Sequence, residues 1–294
     1  MIVDLVRMQT PDSCSLDGAL QRPPTNAPST WPLDAVILIH GTGSNFYQST
    51  LLEALSDMFL ANGVATLRVN TRGHDGISTA VTARGGLRLG AAYENVDDCR
   101  HDLLGWSKFA ATHIGPRVAL LGHSLGAVKS VYAAAHERDL APALVIAVSP
   151  PRLSYEGFCR SSRRDEFLNT FRVAEAHVQA GKPQTLMEVA MPLPMVISAA
   201  GYVEKYGPDG AIDFVPLVER LRGPALFVFG ANEVETNVAF QNLPDELSAL
   251  RPTRHGRDIA IIPGADHFYA GKRNELARLI HDRIGPLLKP SAPT

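Results

Sequence analysis

"RVALLGHSLGAV" (117–128) decides how this chain is read. An unbroken aliphatic run ends in Gly122-His123-Ser124-Leu125-Gly126, and an alanine-rich helical segment follows. A short apolar run without alternation reads as a strand buried on both faces. Glycines two positions either side of Ser124 allow a sharp strand-to-helix turn that lifts the serine Oγ above the sheet edge. The same five-residue form also arises by chance, with the serine only a cap or a packing residue. The strand before it and the helix after it favour a nucleophile.

The flanking sequence repeats this rhythm. "AVILI" (35–39), "VATLRVN" (64–70), "ALVIAVSPP" (143–151), "PALFVFG" (224–230) and "DIAIIPG" (258–264) read as strands. "TLLEALSDMFLANG" (50–63), "ENVDDCRHDLLGWSKFAATHIG" (94–115), "SLGAVKSVYAAAHERD" (124–139) and "KRNELARLIHDRIGPLL" (272–288) read as helices. Regular alternation of this kind predicts βαβ units around a parallel sheet. Upstream, "IVDLVRM" (2–8) and "SLDGALQRP" (15–23) flank the turn "TPDS", which predicts an antiparallel hairpin. A Pro-rich connection, "RPPTNAPSTWP" (22–32), follows it, and "KPSAPT" (289–294) reads as a frayed tail.

At 294 residues and 45% hydrophobic, the chain is long enough for one elaborated α/β domain. A net charge of −2, with both signs scattered, gives no basic footprint for nucleic acid, so the expected partner is a small molecule. Cys14, Cys99 and Cys159 are widely separated and odd in number, which suits free thiols in a reducing compartment and offers no metal-ligand spacing. No apolar run approaches membrane-spanning length and no signal-like segment opens the chain; both point to a cytoplasmic protein. The oligomeric state is not legible.

A serine hydroxyl needs a base. His267, in "PGADHFY" (263–269), follows the last strand and reaches the same carboxyl-end edge as Ser124. His101, His113, His136 and His281 fall in helical runs and read as solvated. The imidazole in turn needs a carboxylate, and "GANEVET" (230–236) supplies one in the right chain order. Glu233 is the first candidate and Glu235 its competitor. Acyl transfer also needs N–H donors for a developing oxyanion. Leu125 supplies one. Thr42 in "HGTGSNFY" (40–47) supplies the other, turned inward by Gly41 and Gly43. The rival reading of that loop, a phosphate cradle, lacks G-x-G-x-x-G or a Walker lysine. Gly41, Gly43, His123 and Met191 are expected to border the substrate, with the His123 ring directed across the turn away from Oγ.

"HGTGSN", "NTRGHDG", "GHSLG" and "GADHF" resemble the oxyanion loop, post-strand segment, nucleophile elbow and histidine loop of the α/β-hydrolase superfamily, and the resemblance covers nearly the whole chain. It implies a mostly parallel eight-stranded sheet flanked by helices, a Ser–acid–His triad, no cofactor, and a cap after the sixth strand. Ser124, His267, Thr42 and Leu125 match the nucleophile, base and oxyanion donors. Glu233 departs from the family's commoner Asp. Arg72, Gly73 and Asp75 would shape the loop beside the site, Arg72 through a structural ion pair.

The strand–helix alternation breaks between the predicted core segments 1–150 and 223–294, placing a helical cap at 151–222. Met187, Met191 and Met195 recur every four residues there and either line an acyl pocket or pack the cap core. Arg160, Arg163 and Arg164 form a basic cluster that reads first as a solvated face. "STAVTARGGLRLGAAYE" (78–94) reads as a long loop, a lid or site wall. The expected function is hydrolysis of a carboxylic ester through an acyl-enzyme. Thioester hydrolysis, acyl transfer and carbon–carbon cleavage use the same groups, and a non-catalytic ligand-binding homologue is the reading from another class.

Overall fold

The computed structural model describes residues 2–24, 28–82 and 85–289. Parts of the Pro-rich connection (25–27) and of the expected tail (290–294) lie outside them. The hairpin β1 (Asp4–Gln9) and β2 (Ser15–Gln21) opens the chain. Strand β3 (Ala35–Ile39), helix α1 (Thr50–Ala61) and β4 (Ala65–Val69) follow. A second hairpin, β5 (Ser78–Thr82) with β6 (Gly85–Leu89), precedes α2 (Cys99–His113), β7 (Val118–His123), α3 (Leu125–His136) and β8 (Leu144–Val148). Then come α4 (Tyr155–Cys159), α5 (Arg164–Gln179), β9 (Leu186–Val189), β10 (Met195–Ser198) and α6 (Ala199–Tyr206). The chain closes with β11 (Ala225–Gly230), α7 (Ala231–Thr236), α8 (Leu243–Ala249), β12 (Arg257–Ile262) and α9 (Arg273–Leu287).

Eight strands form one sheet in the order β1-β2-β4-β3-β7-β8-β11-β12. The first two pairings are antiparallel and the rest parallel. Parallel strands need both faces covered, and β3 shows how five residues do it. Ile37 and Ile39 join the core under α2 and α3, while Val36 and Leu38 join the core under α1 and α9. Side chains alternate across a strand, so "AVILI" is apolar at every position because both faces are dry. Because β3, β7, β11 and β12 run parallel, the loops at their carboxyl ends meet along one edge, with the β7 loop central.

Two expectations need correction. The segment 78–94 is not a long loop: β5 and β6 pair from Ser78↔Leu89 to Thr82↔Gly85. Gly85 and Gly86 themselves pair with Thr82 and Val81, and none of the segment's described residues lines the cavity described below. The segment after β8 is not purely helical either. Met187 lies in β9, Met195 in β10 and Met191 between them, and the two strands pair antiparallel. Their four-residue recurrence is therefore a hairpin's, not a helix face's. This segment is also not a separate globule, since Phe158, Phe167, Phe171 and Tyr202 belong to the same buried cluster as Ile37 and Phe227.

Beside β4, Arg72 is buried and closes on Asp102 at 2.8 Å, Asp12 at 2.9 Å and Asp98 at 3.3 Å. That cluster ties the β1–β2 turn to α2.

Candidate active site

Ser124 sits between β7 and α3 at φ +57° and ψ −127°. A non-glycine residue there stores about 1–3 kcal/mol of strain, held only because the surroundings leave no alternative. The surroundings are backbone. A Cβ on Gly122 would lie 2.1 Å from the Gly126 carbonyl oxygen, and one on Gly126 would lie 2.4 Å from that of Ile39. The two flanking glycines thus let α3 press on β7 and β3, and the turn aims Oγ outward. Gly41, after β3, passes so close that its Cβ would be 3.0 Å from that of Ser124.

His267 Nε2 lies 3.0 Å from Ser124 Oγ, and its Nδ1 lies 2.6 Å from Glu233 Oε2. A carboxylate only accepts, so Nδ1 carries the proton and the Nε2 lone pair faces the serine. Glu233 is 4% exposed. Its Oε1 accepts the Gly230 N–H at 2.8 Å and the Ser149 hydroxyl at 2.5 Å. Tyr269 donates to Ser149 Oγ at 2.9 Å. Glu235 is exposed and makes no contact with the imidazole. The longer acid fits because it stands on the first turn of α7 and reaches back over the end of β11. There a Cβ on Gly230 would sit 2.5 Å from the Ala265 carbonyl oxygen.

Two further histidines brace the loops. His123 is buried and donates from Nε2 to the His267 carbonyl at 2.8 Å. Burial, reinforced by His267, pushes its pKa down to about 3, so it stays neutral. It also lines the cavity, so its ring both props the histidine loop and forms part of the cavity wall. His40 donates from Nδ1 to the Gly41 carbonyl at 2.8 Å and accepts the Thr71 N–H at 3.1 Å. Burial, and then Lys129, holds it down at about 3.

A cavity of about 1330 Å³ opens over Ser124. Gly41, Thr42, His123, Leu125, Met191 and His267 line it, whereas Gly43, Met187 and Met195 do not. Gly43 serves the loop turn instead, at φ +65°. The Leu125 N–H is at the first position of α3, where a helix has no internal acceptor to offer. Arg160 and Arg163 reach the cavity wall and Arg164 does not. His101, His113, His136 and His281 lie away from it. Ser149, Tyr269 and His40 were not singled out from sequence; the only signal for Ser149 is its place at the end of a buried strand. Asp75 accepts from Asn45 at 2.7 Å, and Glu94 fills the space beside Gly73.

The alpha/beta hydrolase family profile matches residues 36–279. The chain belongs to the alpha/beta hydrolase family. No curated protein matches this alpha/beta hydrolase in sequence. Its fold is similar to Est1E from Butyrivibrio proteoclasticus, with a TM-score of 0.64, 17% identity, and 97% and 98% of the two chains covered. It is likewise similar to the alpha/beta hydrolase GrgF from Penicillium sp. sh18, with a TM-score of 0.65, 17% identity and 98% of each chain covered. The Pyrococcus furiosus esterase PF2001 aligns at a TM-score of 0.58 and 16% identity, over 98% of this chain and 90% of that one. Among the described residues of this hydrolase, no helix is long and apolar enough to cross a membrane.

Proposed function

We propose that the protein hydrolyses carboxylic esters through an acyl-enzyme on Ser124. The observation that carries this reading is the continuous relay Ser124 Oγ, His267, Glu233, opening on a large cavity. Oγ attacks the ester carbonyl while Nε2 takes its proton, and Glu233 stabilises the imidazolium that forms. The carbonyl oxygen becomes an oxyanion, received by the N–H groups of Thr42 and Leu125. Each such donor is worth about 10²–10³ in kcat. The carbonyl re-forms as His267 protonates the departing alcohol. Water, deprotonated by Nε2, then releases the acid and restores Ser124.

Residues 151–222 act as a cap over the serine, with Met191 on its inner wall. The cavity exceeds the range of about 300–1,000 Å³ typical of ligand pockets, which favours a substrate larger than a simple short ester. Free Cys14, Cys99 and Cys159 support a reducing, cytoplasmic setting. A fluorophosphonate probe should label Ser124, and purified protein should release nitrophenol from p-nitrophenyl acyl esters. Ser124→Ala should lose both; hydrolysis persisting in that variant would overturn the proposal. Parallel assays with acyl-thioesters and β-diketones identify the bond preferred.

A further inference from the structure

The proposed chemistry leaves the charge of the cavity unused. Arg152, Arg160, Arg163, Lys205 and Arg273 reach its wall, against the carboxylates of Glu156 and Glu246. This excess is local, since the chain as a whole carries −2. Three of the cations are matched. Arg152 bonds Asp213 at 2.9 Å and also Glu246, Arg160 bonds Glu156 at 2.7 Å, and Arg163 bonds Glu166 at 2.8 Å.

Arg273 is unmatched, and Lys205 shares a single carboxylate, Glu94, with a second buried lysine. Arg273 has no hydrogen-bond or ion-pair partner among the described residues, and its Nε is buried. Lys205, on α6, is 3% exposed, and its Nζ stands 3.3 Å from Glu94 Oε2 without making a hydrogen bond. The other Glu94 oxygen is occupied by Lys129, which also donates to Thr71 at 2.9 Å. Glu204 makes no hydrogen bond to it, its carboxylate accepting the N–H groups of Val96 and Asp97 at 3.0 and 3.3 Å. An ammonium has three donors. Here none of the three has a hydrogen-bond acceptor among the described residues, and the ion pair with Glu94 is all that balances the charge. A buried donor left without an acceptor is costly, and an anion arriving from the cavity removes that cost where water is scarce.

We infer that the cavity selects esters carrying an anionic group, a carboxylate or similar oxyanion, and that Lys205 receives it. The inference rests on reading Ser124 as the reacting serine of an ester hydrolase. The anion can reside on the acyl or on the alcohol side, and matched pairs separate the two. The acyl-side pair is p-nitrophenyl hemisuberate against p-nitrophenyl octanoate. The alcohol-side pair is 4-acetoxybenzoate against its methyl ester. Each rate is divided by the rate of hydroxide hydrolysis of the same compound.

Wild-type protein should favour the anionic member of at least one pair by tenfold or more in kcat/KM, chiefly through KM. In Lys205→Met, an apolar side chain of similar length, that ratio should fall at least tenfold. A purely structural lysine would slow both members equally, and an unchanged ratio overturns the inference. Wild-type protein that hydrolyses the neutral esters without favouring either anion overturns it too, leaving the ester-hydrolase reading intact. A second arm needs no turnover and serves if Lys205→Met does not fold. Ser124→Ala should bind monomethyl suberate at least tenfold more tightly than dimethyl suberate, or 4-acetoxybenzoate at least tenfold more tightly than its methyl ester, by calorimetry, and equal affinities within both pairs overturn the inference. Should wild type hydrolyse no ester while either binding ratio holds, the catalytic reading fails and the anion site stands.

Discussion

Replacing Glu233 by Gln tests the relay at its least expected member. The amide keeps the shape of the carboxylate but has one acceptor end and one donor end. Its oxygen is drawn to the Oε1 position, where Gly230 and Ser149 both donate. The NH2 group then faces His267 Nδ1, 2.6 Å away in the native pair. Two donors cannot share that contact, so the imidazole moves its proton to Nε2 and can no longer accept the serine proton. Flipping the amide restores the right tautomer only by turning its NH2 on the buried Gly230 N–H, which loses its acceptor at about 1–3 kcal/mol, while the Ser149 hydroxyl can swing to Tyr269. The wrong tautomer therefore dominates by roughly 5-fold to 150-fold. In serine-protease triads the equivalent change costs about 10⁴ in kcat, or about 5 kcal/mol of barrier.

Steady-state hydrolysis of p-nitrophenyl butyrate by Glu233→Gln should fall at least about fivefold, and Glu235→Gln should stay within twofold of wild type. Glu233→Asp, one methylene short of Nδ1, should fall between. A Glu233→Gln variant that folds and keeps kcat within about twofold of wild type would refute the tautomer argument. A comparable loss in Glu235→Gln would refute the assignment of the acid.

Gly122→Ala should be destabilised by about 3 kcal/mol or more, because its methyl would meet backbone rather than a movable side chain; thermal melting checks it. Glu94→Gln should cost about 3–5 kcal/mol at neutral pH, since it orphans two buried ammoniums, and chemical denaturation reads the loss. Stability should also fall with acid. Burial works against ionisation of Glu94, but Lys129 and Lys205 outweigh it and hold the carboxyl at about 2, so its contribution is complete above the unfolded value of 4.5 and fades as pH drops toward 2. His40 and His123 act in an earlier window. Folded, both resist protonation down to about 3, whereas unfolded they take protons below 6.5, so each removes about 1.4 kcal/mol per pH unit between those limits. Melting temperature followed from pH 7 to 4 should decline, and less steeply in His123→Phe.

The parallel sheet was legible because strands buried on both faces must be continuously apolar, and "AVILI" and "VALL" have no polar position to misread. The serine turn was legible because only glycine tolerates the contacts at 122 and 126. What stayed hidden depends on long-range placement. Glu233 and Glu235 are two residues apart, and only the pitch of α7 turns one inward and the other to solvent. Ser149 lies 84 residues from the carboxylate it supports, and no local pattern marks that contact. The β5–β6 and β9–β10 hairpins were missed because short, half-exposed strands carry weak periodicity, and methionines at a spacing of four imitate a helical stripe.

Glu233 stands on a helix of six residues, Ala231–Thr236, with Asn232, Glu235 and Thr236 all exposed. So short a helix is only marginally stable alone, and opens more readily than the eight-stranded sheet beneath it. When α7 frays, the carboxylate leaves the imidazole while everything else stays folded. Warming should therefore switch the enzyme off below its calorimetric melting point, and cooling should switch it back on, so that activity becomes a thermometer for a single turn of backbone.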